Sequence, residues 1–264
     1  IHTWTETSFD VQGTIPVINR KVGVNSEALM LSGIVQGVNT TGHMVQVSWP
    51  EREDLPDTTL PNRASDGTLF PLTFEARYSL FREGAARDVQ SRQGATLNLS
   101  LTTTPFESEF RGSRTHISAG LFLPGLLRHD GLRLSFAWER KKDEGHPFRS
   151  LIQMPLGFKY RFHDRLTRFG ARYKIPLAYP DGGIDELPLL GWYRLGYVKR
   201  VSLTAFGDWL RGEDKSDVHD YLTIGIAATF ESSILHLPFI LPLSLVYAYR
   251  PREGEGEFQI SLEF

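Results

Sequence analysis

His116 and Ser118 stand two residues apart in an alternating run, with Asn98 in the run before it. Acyl hydrolysis needs a hydroxyl activated by an imidazole and a third group to orient that ring, and residues two apart on a strand share a face. No nucleophile-elbow pattern accompanies the pair. Two polar residues on the polar side of a strand have the same spacing, so no catalytic residue is assigned and a non-enzymatic role is expected. Three His-Asp doublets recur, at His129-Asp130, His163-Asp164 and His219-Asp220. Adjacent strand residues point to opposite faces, so one doublet cannot chelate a single ion, and all three fall at strand ends, where Asp favours turns. Gly182-Gly183 is expected at a turn or strand entry, and no phosphate-cradling glycine loop occurs. Neither a metal nor a cofactor is expected.

The more informative ionisable residues form a set: Glu75, Arg77, Arg133, Glu139, Lys159, Arg161, Arg172, Lys174, Asp208 and Glu231, with Arg194 and Glu263 beside them. Each lies on the polar side of an alternating run. Facing lipid, such charges would cost several kcal/mol unless they met water or one another. Two readings follow, an interlocking ion-pair network or the wall of a solute pathway. Lys159, Arg161, Arg172 and Lys174 are expected on two neighbouring strands, as a basic cluster whose partners are acidic residues opposite or an anionic substrate.

These side chains must be positioned by strands, because no segment carries a 3.6-residue apolar stripe. Alternating runs fall at 4–14, 27–38, 43–50, 69–82, 93–103, 115–123 and 131–140. They continue at 149–162, 167–179, 189–198, 201–210, 219–231, 239–250 and 257–264, fourteen in all. In the last of them Phe258, Ile260, Leu262 and Phe264 share one side, and Gln259, Ser261 and Glu263 the other. A soluble edge strand of that kind would invite edge pairing; as the closing strand of a barrel it would pair with the first strand and remove the edge. Many runs exceed the usual ~5–6 residues and match the ~9–11 needed to cross a bilayer at a tilt.

The connections predict the same architecture. Links at 15–26, 51–68, 104–114, 141–148, 180–188, 211–218 and 251–256 are expected on the outer side. Tight inner turns are expected at 39–42, 124–130, 163–166 and 199–200, with 83–92 a longer inner link. No linker or low-complexity tract divides the chain, so residues 1–264 are read as one domain. The 264 residues carry a net charge of -2 and no basic block, which argues against a nucleic-acid partner. There is no cysteine, and therefore neither a disulfide framework nor a thiolate metal site. The 17 Phe, 9 Tyr and 5 Trp suit interfacial girdles as well as cores, and Trp4, Trp49, Trp138, Trp192 and Trp209 mostly fall near run ends. The first residue is Ile1 and no signal peptide is present, so the chain is read as processed or excised from something longer. The fold class expected is all-β, a transmembrane antiparallel up-and-down β-barrel of about fourteen strands, with twelve or sixteen as alternatives.

A family resemblance narrows the expectation. The succession F-G-A-R-Y-K-I-P-L (169–177), V-S-L-T-A-F-G-D-W (201–209), Y-L-T-I-G-I-A-A-T-F (221–230), L-P-L-S-L-V-Y-A-Y-R-P (241–251) and F-Q-I-S-L-E-F resembles the last strands of BamA-like outer-membrane barrels, the bacterial surface antigen type. I-H-T-W at the start, R-Q-G-A-T-L-N-L-S-L-T-T-T-P-F (92–106), F-L-P-G-L-L-R-H-D-G-L-R-L (122–134) and Y-V-K-R-V-S-L (197–203) look like the Bacteroidota barrels found behind TolB-like β-propellers. The resemblance implies a multi-pass protein of the bacterial outer membrane with its C-terminus at the periplasmic side. Its surroundings would be outer-membrane lipid and lipopolysaccharide, its partners other envelope proteins or a periplasmic domain, and its role that of a subunit or anchor in a protein assembly or export complex. In that family an Arg-Gly-aromatic tip on a loop folded into the lumen meets an aspartate on a neighbouring strand. Asp208 matches the aspartate; Leu156-Gly157-Phe158 matches the tip without its arginine, and Phe158 alternates as a strand residue would. A porin-like channel for small solutes is the alternative, and a barrel lipid hydrolase the third reading.

Overall fold

Side chains alternating with a period of two bury one face of a strand and leave the other to a different environment, and the chain turns this pattern into one antiparallel sheet. The computed structural model describes residues 2–44, 67–85, 88–91, 93–106, 111–143, 148, 150–159, 161, 163–179, 182–183, 196–214, 217–234 and 241–262. Its strands are β1 (His2–Val22), β2 (Asn25–Met44), β3 (Gly67–Leu69), β4 (Leu72–Arg82), β5 (Gln93–Thr103), β6 (Gly112–Pro124) and β7 (Gly131–Asp143). They continue as β8 (Arg165–Ala178), β9 (Gly182–Gly183), β10 (Gly196–Glu213), β11 (Val218–Ile234), β12 (Leu241–Arg250) and β13 (Glu255–Leu262). The order β1-β2-β4-β5-β6-β7-β8-β10-β11-β12-β13 follows the sequence, with the short β3 beside β2 and β9 beside β10. The sheet is therefore antiparallel and up-and-down, and no helix occurs among the described residues.

The sheet curls. Arg200 of β10 donates to the Asp88 carbonyl at 2.8 Å, and the Val89 amide donates to the His129 carbonyl at 3.1 Å, so the link after β4 reaches strands far along the sheet. The middle of the concave face is largely polar and covered: Ser202 and Thr223 are fully buried, Glu139 is 1% exposed, and Thr73, Ser100, Thr102, His116 and Asp208 are buried with them, while Gln12 and Gln259 at the sheet's two ends are exposed. The convex face is apolar and open, with Phe169 50%, Ile226 53% and Ile260 64% exposed. A soluble sandwich has the opposite distribution. Along β10 the convex residues from Val201 through Leu203, Ala205 and Gly207 to Trp209 carry no charge, and Arg211 and Glu213 follow at the end.

The structure corrects several sequence expectations. The strand expected at 149–162 is not formed among the described residues of that stretch, none of which is in a ladder, and β7 pairs directly with β8. Pro155 lacks an amide hydrogen and Gly157 takes a φ of 87°, so the chain turns there, with the Phe158 amide on the Pro155 carbonyl at 3.2 Å. The alternation of Ile152, Met154, Leu156 and Phe158 instead reflects a segment lying on the concave face, where Ile152 packs with Leu166, Leu210 and Tyr221, flanked by Met154 and Phe158. The expected outer link at 15–26 is strand, because β1 and β2 run on to a two-residue turn at Gly23-Val24. Gly23 takes a φ of 59° at the first turn position, as a type II′ hairpin requires. Its polar flanks are paired strand ends, with Arg20 donating to Glu27 at 2.7 Å.

Expected turns at 39–42 and 199–200 lie inside β2 and β10, the latter at a register shift between Val198 and Arg200 that absorbs the irregularity as a bulge. The expected turn at 163–166 runs into β8, which starts at Arg165. With 149–162 removed as a strand, the link after β8 falls at the same sheet end as the 125–130 turn and not at the outer end. Most of the expected strands 43–50 and 189–198 lies outside the described residues, apart from 43–44 in β2 and 196–198 in β10. Among the described residues thirteen strands stand where about fourteen were expected. The path ends at β1 and β13, and among the described residues no ladder joins the two, so the closing pair expected for Phe258, Ile260 and Leu262 is not formed there; Phe264 lies outside the described residues.

Candidate functional site

The concave face gathers most of the charged residues picked out by their parity, around Asp208. Asp208 sits on β10 opposite Gly170 on β8 and Thr223 on β11. A Cβ on Gly170 would lie 2.6 Å from both the Asp208 Oδ1 and the Ser135 Oγ, so the absence of a side chain at 170 makes room for the carboxylate. Arg168 supplies its counter-charge at 2.9 Å and Arg172 stands further off at 4.0 Å. Both arginines come from β8, one on either side of Gly170.

The segment from Ser150 to Phe158 lies across this floor, with several of its backbone polar groups paired to side chains of the sheet. Glu139 of β7 accepts from the Ser150 Oγ at 2.7 Å and the Leu151 amide at 2.8 Å. Arg168 donates to the Gln153 carbonyl at 3.3 Å, the Thr223 Oγ1 to the Leu156 carbonyl at 2.9 Å, and Arg250 of β12 to the Gly157 carbonyl at 2.5 Å. Arg250 also lies 5.5 Å from the Phe158 ring centre, and Phe158 meets Tyr221 edge-on at 5.1 Å. The Leu156-Gly157-Phe158 turn therefore comes near Asp208, since Leu156 and Asp208 line one cavity of about 610 Å³. The arginine that meets the aspartate is Arg168 from the adjacent strand, and another arginine, Arg250, holds the turn.

Beyond the segment, Glu231 accepts two hydrogen bonds from Arg200 at 2.6 and 2.7 Å, with Lys174 at 3.6 Å. Glu75 and Arg77 share the concave face, paired with each other at 2.6 Å. Arg133 and Arg172 are direct cross-strand partners. Lys159 and Arg161 leave the expected cluster, because they belong to the irregular segment: they line a separate cavity of about 480 Å³ with His219, Arg250 and Arg252, away from Arg172 and Lys174. Arg194 and Glu263 lie outside the described residues.

His116, Ser118 and Asn98 share the concave face, where Asn98 and Ser118 are cross-strand partners and the His116 Nδ1 looks to Glu139 at 3.7 Å. The three doublets have separate partners: His129 meets Asp88 at 2.8 Å, Asp220 meets Arg252 at 3.5 Å, and His163 sits between Asp214 and Tyr221 at 3.1 Å each. Among the described residues no three His, Asp or Glu side chains converge to hold a metal. Burial pushes the His163 imidazole below its ordinary pKa, against the opposing pull of Asp214. Sequence reasoning missed Arg168, Arg200 and Arg250. Arg168 has the same parity as Gly170 and Arg172, which was signal enough to find it; Arg200 was hidden in an expected turn, and Arg250 at the end of its strand. No family model matches the chain, and no curated protein matches its sequence.

Proposed function

We propose that this chain is an outer-membrane β-barrel protein of the BamA-like kind, a non-enzymatic membrane-embedded subunit or anchor in an outer-membrane protein assembly or export complex. The observation that carries the membrane part is the inversion of the sheet, polar and covered on the concave side, apolar and open on the convex side. The uncharged convex run from Val201 to Trp209 spans nine residues; at ~3.3 Å per residue and a ~45° tilt it covers close to 20 Å of depth, of the order of the apolar band of an outer-membrane barrel. In this reading the β13 C-terminus lies at the periplasmic side, β1 and β13 or strands beyond them close the barrel, and lipid and lipopolysaccharide meet the convex face.

The subunit role is supported by the segment folded onto the concave face with Leu156-Gly157-Phe158 at its turn, near the aspartate that matches the family position. Without the arginine of the family's tip, and with Asp208 already paired to Arg168, an anchoring or partner-binding role fits better than insertion of other proteins. Detergent extraction and affinity capture from native envelopes test it. Co-purification of a defined set of envelope proteins with little conductance is the expected result, and isolation as a lone barrel counts against it.

A channel for small solutes is the second reading, favoured by the cavity beneath the segment. It expects discrete conductance steps in planar bilayers, altered by Arg172→Glu or Lys174→Glu. Silence in that assay excludes it.

A further inference from the structure

We propose that the concave cavity beside Asp208 is a binding site for a small organic phosphate, held by Arg133 and Arg172. The cavity of about 610 Å³ has more cations than its carboxylates can serve: Arg133, Arg168, Arg172 and Lys174 against Asp208 and Glu231. Both carboxylates are committed, Asp208 to Arg168 at 2.9 Å and Glu231 to the two hydrogen bonds from Arg200. Arg172 stands 4.0 Å from Asp208, at the limit of an ion pair. Among the described residues Arg133 meets no carboxylate, and its guanidinium lies 5.2 Å from the centre of the Phe122 ring.

The two arginines leave neighbouring strands at one ladder position. Arg133 and Arg172 are direct partners in the β7–β8 ladder and leave the same face of the sheet, an arrangement of like charges that is destabilising by itself. Gly120, Ser118 and Ser135 beside them keep the neighbouring positions small, and the three arginines also border a second cavity of about 230 Å³. A pair of planar five-donor forks suits a doubly charged tetrahedral oxyanion, which accepts from both at once and removes the repulsion. The volume far exceeds that of phosphate alone, and Met154, Leu156, Phe206 and Val246 give the remaining wall an apolar character suited to an organic body.

Thermal unfolding of the full chain in detergent, at fixed ionic strength, separates this site from a merely structural charge cluster. The probes are inorganic phosphate, phenyl phosphate and dihexanoyl phosphatidic acid, each compared with chloride. Wild-type protein is expected to gain thermal stability with a phosphate probe over chloride. Arg172→Gln weakens the apparent affinity by roughly tenfold or more, the loss of a charge-assisted bidentate contact. Arg133→Gln raises the melting temperature in chloride, because the repulsion is relieved, while losing the response to phosphate; Arg133→Lys keeps part of it. A stronger response to phenyl phosphate than to inorganic phosphate supports the organic body, and an equal response overturns that part. A response confined to dihexanoyl phosphatidic acid supports the site with a lipid headgroup as the source. Equal stabilisation by chloride and phosphate, or an Arg133→Gln variant that is less stable in chloride yet still responds to phosphate, overturns the proposal.

Discussion

Replacing Asp208 by alanine leaves Arg168 and the half-exposed Arg172 without the carboxylate between them. The Asp208 side chain is 5% exposed and that of Arg168 21%. At an effective dielectric of about 20, charges 2.9 Å apart attract by roughly 6 kcal/mol before desolvation is counted. Desolvation offsets part of that attraction, but deleting one partner of a covered pair leaves the other desolvated and unpaired, at a cost of about 3–5 kcal/mol. The partial exposure of Arg168 puts the expected loss for Asp208→Ala at the lower end, about 3 kcal/mol. The assay is guanidinium unfolding of the detergent-solubilised protein followed by tryptophan emission, for which Trp209 is a local reporter: it neighbours Asp208 and stacks on Phe169 at 5.6 Å. The double variant Asp208→Leu/Arg168→Met, which removes both charges and fills the space, should recover most of the loss. An Asp208→Ala effect within about 0.5 kcal/mol, the range of ordinary surface changes, or a double variant worse than the sum of the singles, refutes the reasoning.

Other perturbations read neighbouring parts of the site. Gly170→Ala places a Cβ 2.6 Å from Asp208 and Ser135 and should destabilise by about 1–3 kcal/mol in the same unfolding assay. Gly157→Ala forces a side chain into a φ of 87° with Arg250 atoms 3.3 Å away; a cost of about 1–2 kcal/mol is expected, together with faster hydrogen exchange confined to residues 150–159. Arg250→Ala removes the hydrogen bond to Gly157 and the ring contact and should expose the same segment to limited proteolysis. Burial sets the folded pKa of His163 below the ordinary 6.5. The unfolded chain therefore takes up a proton first as pH falls. Stability from this group is fully present above about pH 6.5 and is lost as pH drops from there toward the folded pKa; His163→Asn should flatten that slope in unfolding curves measured across the window.

The strands from Gln93 to Asp143 were legible because their apolar side is continuous and the turn between β6 and β7 carries Pro124, Gly125 and Asp130. Residues 149–162 were not, and the reason is physical. A segment lying on a curved sheet also alternates between facing that sheet and facing away, so Ile152 and Met154 mimic a strand until Pro155 and Gly157 break it. The polar ends of β1 and β2 misled in the other direction. Arg20, Lys21 and Glu27 look like a loop, yet in ladder register they satisfy one another and Glu83. Within the candidate site Asp208, Arg172 and Glu231 were found by parity. Pairing of Arg168 with Asp208 was not, because a strand expected at 189–198 stood between their strands, which pair directly.

A membrane barrel requires that the convex face meet lipid while the concave face meets water and the folded segment. The chain has no cysteine, so single cysteines at Phe169, Ile226 and Leu99 on the convex face and at Ser118, Gln259 and Thr204 on the concave face can each carry an environment-sensitive fluorophore in protein reconstituted into liposomes. The convex probes should be quenched by nitroxide-labelled acyl chains and shielded from iodide, and the concave probes should escape the acyl-chain quencher. Convex probes that iodide quenches as readily as a fully exposed label, with no response to the lipid nitroxide, would contradict it.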